Sequence, residues 1–138
     1  MASPRNPARP LSPHLTAWKP GIHMVVSIVH RITGDGMATV GTLLLVWWLA
    51  ALASGKEAYD KFVDVFTYSN GALNILGYII GVGLTLSFFQ HMASGIRHLV
   101  MDAGAGFELK VNRTGAWATV IASIALTVLY WAYLIMGK

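Results

Sequence analysis

Two histidines and the glycine between them set the chemical problem of this chain. In His91-Met92-Ala93-Ser94-Gly95-Ile96-Arg97-His98, which closes a long apolar segment, ionisable side chains are expensive and mark function. On a helix, Gly95 falls about 40° and His98 about 20° from His91. One stripe then carries an imidazole, a gap one turn on, and a second imidazole two turns on. An imidazole in hydrocarbon bound to haem iron would account for the first feature. A flat macrocycle beside a residue with no side chain would account for the second. The plain alternative for His91 is a buried histidine bonded to a backbone carbonyl.

A second constellation lies earlier, in Ser27-Ile28-Val29-His30-Arg31-Ile32-Thr33-Gly34. Ser27, His30, Arg31 and Gly34 are spaced i, i+3, i+4, i+7 and share one helix face. A hydroxyl donor and a guanidinium at the membrane edge suit a quinone carbonyl or a haem propionate. They equally suit an arginine snorkelling to headgroups beside a histidine that caps a helix.

These residues need elements that bring them together, and the composition says which kind. Of 138 residues 55% are hydrophobic and only 12% charged, about half the charge of a soluble domain. The fold expected is an all-α membrane protein. There is no cysteine, which excludes disulfides, thiolate nucleophiles and cysteine-held zinc or iron–sulfur clusters. The net charge of +4 is not gathered into a basic patch with interleaved aromatics, so no nucleic-acid partner is implied.

All five prolines fall within the first twenty residues, so residues 1–21 form a Pro-rich segment outside any regular helix. Three apolar spans follow in a domain over 22–138, at about 22–53, 71–100 and 115–136. The first would reach ~48 Å, longer than a ~30 Å hydrocarbon core requires. Gly71, Gly77, Gly81 and Gly83 offer close packing in the second. Residues 54–70 read as a polar connection with room for a short surface helix, and 102–114 as a second polar loop. Trp117 near one end of the third span, with Tyr130, Trp131 and Tyr133 near the other, fits an aromatic belt.

Seven cations (Arg5, Arg9, Lys19, Arg31, Arg97, Lys110, Arg113) face three (Lys56, Lys61, Lys138) across the membrane, which predicts a cytoplasmic N-terminus. If Arg97 and His98 mark the interface, His91 lies seven residues, or ~10 Å, deeper and is the better axial ligand. His98 is then placed for propionates or an outer hydrogen bond. Span one leaves the side to which span two returns, so both constellations occupy one half of the bilayer. His30 and His98 read as too near the interface to lie opposite His91, which leaves a second iron ligand to another chain.

Arg9-Pro10-Leu11-Ser12-Pro13-His14-Leu15, Ser27 to Gly34, and His91-x-x-x-Gly95-Ile96-Arg97-His98-Leu99-x-x-Asp102 resemble the three signature blocks of the succinate dehydrogenase cytochrome b subunit. That family is the larger membrane anchor of respiratory complex II, and the likeness covers about residues 9–136. The resemblance implies that His91 is an axial ligand of haem b, that Ser27 and Arg31 line a ubiquinone site, and that His30 and Arg31 lie near the haem propionates. It implies a two-subunit haem-binding anchor bundle in which the smaller anchor supplies the second histidine. The flavoprotein and iron–sulfur subunits would dock on the cytoplasmic face, and succinate would be oxidised there rather than in this chain. Two departures are an Ala17-Trp18 pair where an apolar residue and tyrosine are common, and Asp35 where an apolar residue is usual. With no obvious cleavable leader, a bacterial inner membrane is expected in preference to a mitochondrial one. The rivals are an anchor of a fumarate-reducing relative and a haem-free transport or assembly subunit.

Overall fold

The computed structural model describes residues 19–137. The N-terminal signature block and all of the proline-rich segment before Lys19 lie outside the described residues. Four helices follow. Helix α1 runs Ile22–Ala53, α2 Lys56–Phe66, α3 Ile75–Asp102 and α4 Leu109–Met136. Helices α1, α3 and α4 are long and apolar enough to cross a membrane, and the chain is a multi-pass membrane protein.

Local chemistry sets the helix ends. Asn74 accepts the Gly77 N–H through Oδ1 at 2.8 Å and donates through Nδ2 to the Val65 carbonyl at 2.9 Å. That cap starts α3 at Ile75, four residues after the Gly71 expected from the apolar run. Gly71 itself sits in the turn before the helix with φ +78°, a region open to glycine at little cost. At the other connection, α4 begins at Leu109 rather than Gly115, so Lys110 and Arg113 belong to its first turns. Hydropathy places a span at its apolar core, whereas the helix extends outward through residues that reach water.

Helix α1 contains a π-helical segment, Met37–Gly41. Its wider turn shifts the register, so the side-chain faces before and after it do not follow one 3.6-residue period. Helix α2 is the surface helix allowed for in the first connection. Lys56 pairs with Asp60 and Lys61 with Glu57, each at i, i+4. The Asp60 carboxylate holds the Lys56 ammonium above its ordinary pKa, first by hydrogen bond and then by charge.

Helix α3 packs against both α1 and α4, and α1 also touches α4. The interior is unusual for a soluble protein but ordinary in lipid. Its buried residues include Gln90, Ser94, Thr119, Ser123 and Thr127, while Leu43, Ile79 and Ile121 lie well exposed on the outside. In hydrocarbon no apolar side chain gains by leaving the surface, so small and polar residues line the helix contacts. Three contacts pin α3 to α4 along their length. Arg97 Nη2 donates to Asn112 Oδ1 at 2.6 Å, Ser123 Oγ lies 2.7 Å from Gln90 Oε1, and Trp131 lies over Gly81. Of the four glycines expected to pack spans together, Gly81 alone does so. Gly77 instead admits the Phe66 carbonyl of α2, and Gly83 meets nothing within 4 Å.

Candidate functional site

The crossing of α1 and α3 gathers three imidazoles. His30 of α1 and His91 of α3 stack with ring centroids 3.9 Å apart and planes 8° from parallel. His98, two turns along α3, lies 4.9 Å from the same His30 ring and is tilted by 38°. Antiparallel packing thus brings the two constellations into one cluster, as the topology required.

Each histidine of α3 makes a backbone hydrogen bond through one nitrogen. His91 Nδ1 is 3.0 Å from the His30 carbonyl oxygen and His98 Nδ1 is 2.8 Å from that of Ser94. A carbonyl only accepts, so each Nδ1 carries the proton and each neutral ring keeps its lone pair on Nε2. Neither Nε2 bonds to any described residue. His30 differs, since its Nδ1 is buried without a hydrogen-bond partner among the described residues.

The plain reading of His91 predicted a carbonyl contact, and the contact is present. It accounts for only one nitrogen. Metal-bound histidines commonly donate their other N–H to a carbonyl, which fixes the ring and raises its basicity. The donor set therefore suits an iron ligated through His91 Nε2.

Two geometric expectations are revised. His30 is level with His91 and stacked on it rather than displaced toward the interface, because α1 and α3 cross where both rings lie. It still cannot oppose His91 across an iron, since two parallel rings in van der Waals contact leave no room for a metal between them. The gap at Gly95 faces His30 instead of open space. A Cβ at Gly95 would stand 3.8 Å from His30 Cε1, an ordinary contact, so nothing in this geometry reserves the gap for a macrocycle.

Ser27 and Arg31 flank His30 on α1. Ser27 is half-buried, Arg31 is exposed, and neither side chain bonds to a described residue. Arg97 is committed to Asn112 and acts as a helix pin. A cleft of about 370 Å³ opens beside that pair, lined by Ile96, Val111, Gly115 and Ala118 among others. A second, of about 450 Å³, lies between the start of α1 and α4 at Pro20, His23, Arg113 and Trp117. Neither includes His91. Residue patterns gave no reason to single out Thr33, whose Oγ1 lies 3.4 Å from His91 Nδ1. Its position three residues after His30 was visible, but its neighbour is a ring on another helix, a contact that periodicity does not reveal.

Comparison with known proteins decides the family. Residues 5–130 match the sequence model described as succinate dehydrogenase/fumarate reductase transmembrane subunit. The chain belongs to that family. It is 42% identical over 124 residues to the succinate dehydrogenase cytochrome b556 subunit of Rickettsia prowazekii, covering 89% of this chain and 90% of the relative. It is 33% identical over 132 residues to the protein of the same name from Paracoccus denitrificans, covering 94% of each. The mitochondrial cytochrome b560 subunit of Mus musculus is 33% identical over 122 residues, 88% of this chain and 66% of the mouse protein. The membrane-anchor family expected from the three sequence blocks is the one found.

Proposed function

We propose that this chain anchors a succinate:ubiquinone oxidoreductase in the bacterial inner membrane, ligates haem b through His91 and helps form the ubiquinone site with Ser27 and Arg31. The observation that carries the haem assignment is the state of His91, whose Nδ1 is held by the His30 carbonyl while Nε2 is left to bind. The cytochrome names of the relatives support it. His30 and Arg31 would lie toward the propionates. His98 would remain outside the iron's immediate ligands, because it lies seven residues, about two turns, nearer the membrane edge than His91. A haem held there supplies one-electron chemistry between ferrous and ferric iron.

The second iron-ligating histidine would come from the smaller anchor subunit, since His30 stacks on the face of the His91 ring with no room for a metal between the two. Succinate oxidation would take place in the flavoprotein, with electrons reaching the membrane through the iron–sulfur subunit. At the quinone, Ser27 would donate to a carbonyl oxygen, and the fixed charge of Arg31 would stabilise negative charge developing on that oxygen. Both side chains lie on α1 with no described partner, which leaves them available. The cation distribution supports a cytoplasmic N-terminus. Cysteines placed at Ser54 and Ser3 should then be labelled from opposite sides.

A reduced-minus-oxidised spectrum of the assembled complex tests the assignment. His91→Ala should abolish or severely alter the low-spin haem signal, and His98→Ala should retain more of it. An unchanged low-spin spectrum in assembled His91→Ala complex would reject His91 as the ligand.

A further inference from the structure

We infer that Gly34 and Thr33 of α1 are positioning residues for the proposed iron ligand, holding the His91 ring at the distance and rotation that keep its Nδ1–H on the His30 carbonyl. The inference rests on His91 being the haem ligand and concerns what sets that ligand's strength. Its observation is independent of that reading. A Cβ added at Gly34 would stand 2.8 Å from His91 Cε1 and 3.2 Å from Nδ1, closer than a side chain can approach without moving something.

The neighbour at Gly34 is an imidazole ring, and its freedom to yield is small. On one face it lies parallel to His30 at 3.9 Å. Its Nδ1 is tied to the His30 carbonyl at 3.0 Å, with the Thr33 hydroxyl oxygen 3.4 Å away. Thr33 Oγ1 has one proton, directed to the Val29 carbonyl at 2.8 Å or that of His30 at 3.0 Å. Its lone pairs therefore remain for the His91 N–H as a second, longer acceptor. One turn of α1 thus surrounds the ring with a stacking partner, two acceptors and a gap of one methyl group. Gly36, two residues on, meets nothing within 4 Å, so the slot belongs to position 34 and not to a generally glycine-rich helix.

The chemical consequence has a sign. An N–H held by a carbonyl makes imidazole a more basic ligand, and a more basic ligand favours ferric over ferrous iron. A methyl at position 34 drives the ring off its acceptor, weakens that donation and should raise the haem midpoint potential. Thr33→Val removes the secondary acceptor and should raise it less.

The test uses the assembled four-subunit complex in membranes, with redox titration of the haem band and haem content per flavin as readouts. Gly34→Ala should raise the ratio of reduced to oxidised haem at a fixed ambient potential by roughly tenfold, taking the low end of the effect that losing an outer hydrogen-bond partner has on metal affinity or activity as the scale. Thr33→Val should move it in the same direction, Thr33→Ser should restore the wild-type titration, and Gly36→Ala should not shift it. Unchanged titration in both Gly34→Ala and Thr33→Val would overturn the inference, as would an equal shift in Gly36→Ala. If Gly34→Ala complex does not assemble, the Thr33→Val and Thr33→Ser pair decides alone. Loss of haem in His91→Ala with normal Gly34 and Thr33 variants would defeat this inference only. Retention of a normal haem in His91→Ala would defeat the ligand reading beneath it.

Discussion

The seams that α3 makes with α1 and with α4 are built for different ends. Against α4, polar groups serve packing. Arg97 is held by Asn112, Gln90 meets Ser123, and the Trp131 ring occupies the space over Gly81. Against α1, three imidazoles come together, yet the two on α3 each commit a single nitrogen to the backbone. A helix contact in lipid needs small residues and satisfied polar groups. The α4 seam has the small residues but leaves Gln90 Nε2 and Trp131 Nε1 buried without partners among the described residues, both of them donors, whereas the α1 seam leaves strong ligand atoms in reserve. That reserve distinguishes a site from a joint within one helix bundle.

The largest expected effect that sharpens this contrast lies on the α1 side. Ser27→Ala and Arg31→Leu should depress succinate–quinone reduction while sparing succinate oxidation by an artificial acceptor that draws electrons from the soluble subunits. Losing one buried hydrogen bond is worth ~1–3 kcal/mol, hence roughly ten- to hundredfold on the quinone step. Arg31 should be the worse loss because a bond from it to quinone would be charge-assisted. Equal loss of both activities would indicate failed assembly, and two unchanged activities would remove these residues from the quinone site.

A smaller effect should appear on the α4 side, in stability alone. A Cβ at Gly81 would stand 2.9 Å from Trp131 Cζ2, so Gly81→Ala overpacks the seam and should cost ~1–3 kcal/mol. Gly83→Ala, facing open space, should be close to neutral. Thermal denaturation of the assembled complex should separate the two, with the haem spectrum unaltered in both. A haem change in Gly81→Ala would show that the seams are coupled and break the contrast.

Much of this was legible in the residues because it rests on period and hydropathy. Three apolar runs gave three spans, and His30 and Gly34 of the Ser27 to Gly34 face met the His91 ring as antiparallel topology demands. What escaped depends on contacts between particular atoms. Asn74 caps α3 and moves its start. The π segment Met37–Gly41 has no compositional marker apart from nearby glycines. Gly77 and Gly81 look alike in sequence, yet one admits a carbonyl and the other an indole. The level of His30 relative to His91 follows from how α1 and α3 cross, which no single-helix pattern contains.

The smallest effect tests how far the α4 seam is truly satisfied. Ser123 Oγ is 2.7 Å from Gln90 Oε1 and 2.9 Å from the Val120 carbonyl oxygen, while Gln90 Nε2 is buried without a partner among the described residues. One hydroxyl proton cannot serve two acceptors. Turning the Gln90 amide over resolves this, because oxygen and nitrogen positions in an amide are interchangeable assignments. Nε2 then donates to Ser123 Oγ, the hydroxyl donates to Val120, and the atom left over is an acceptor. Ser123→Ala should therefore orphan a buried donor and cost ~1 kcal/mol, at the low end for such a loss because one partner is already missing. Gln90→Leu combined with Ser123→Ala removes both polar groups and should recover most of that cost. The double-mutant cycle, read by thermal denaturation with haem content as a control, should give a coupling between the two sites. Additive losses would mean that Gln90 and Ser123 do not bond, and the α4 seam would then be held by Arg97, Asn112 and the Gly81–Trp131 contact without them.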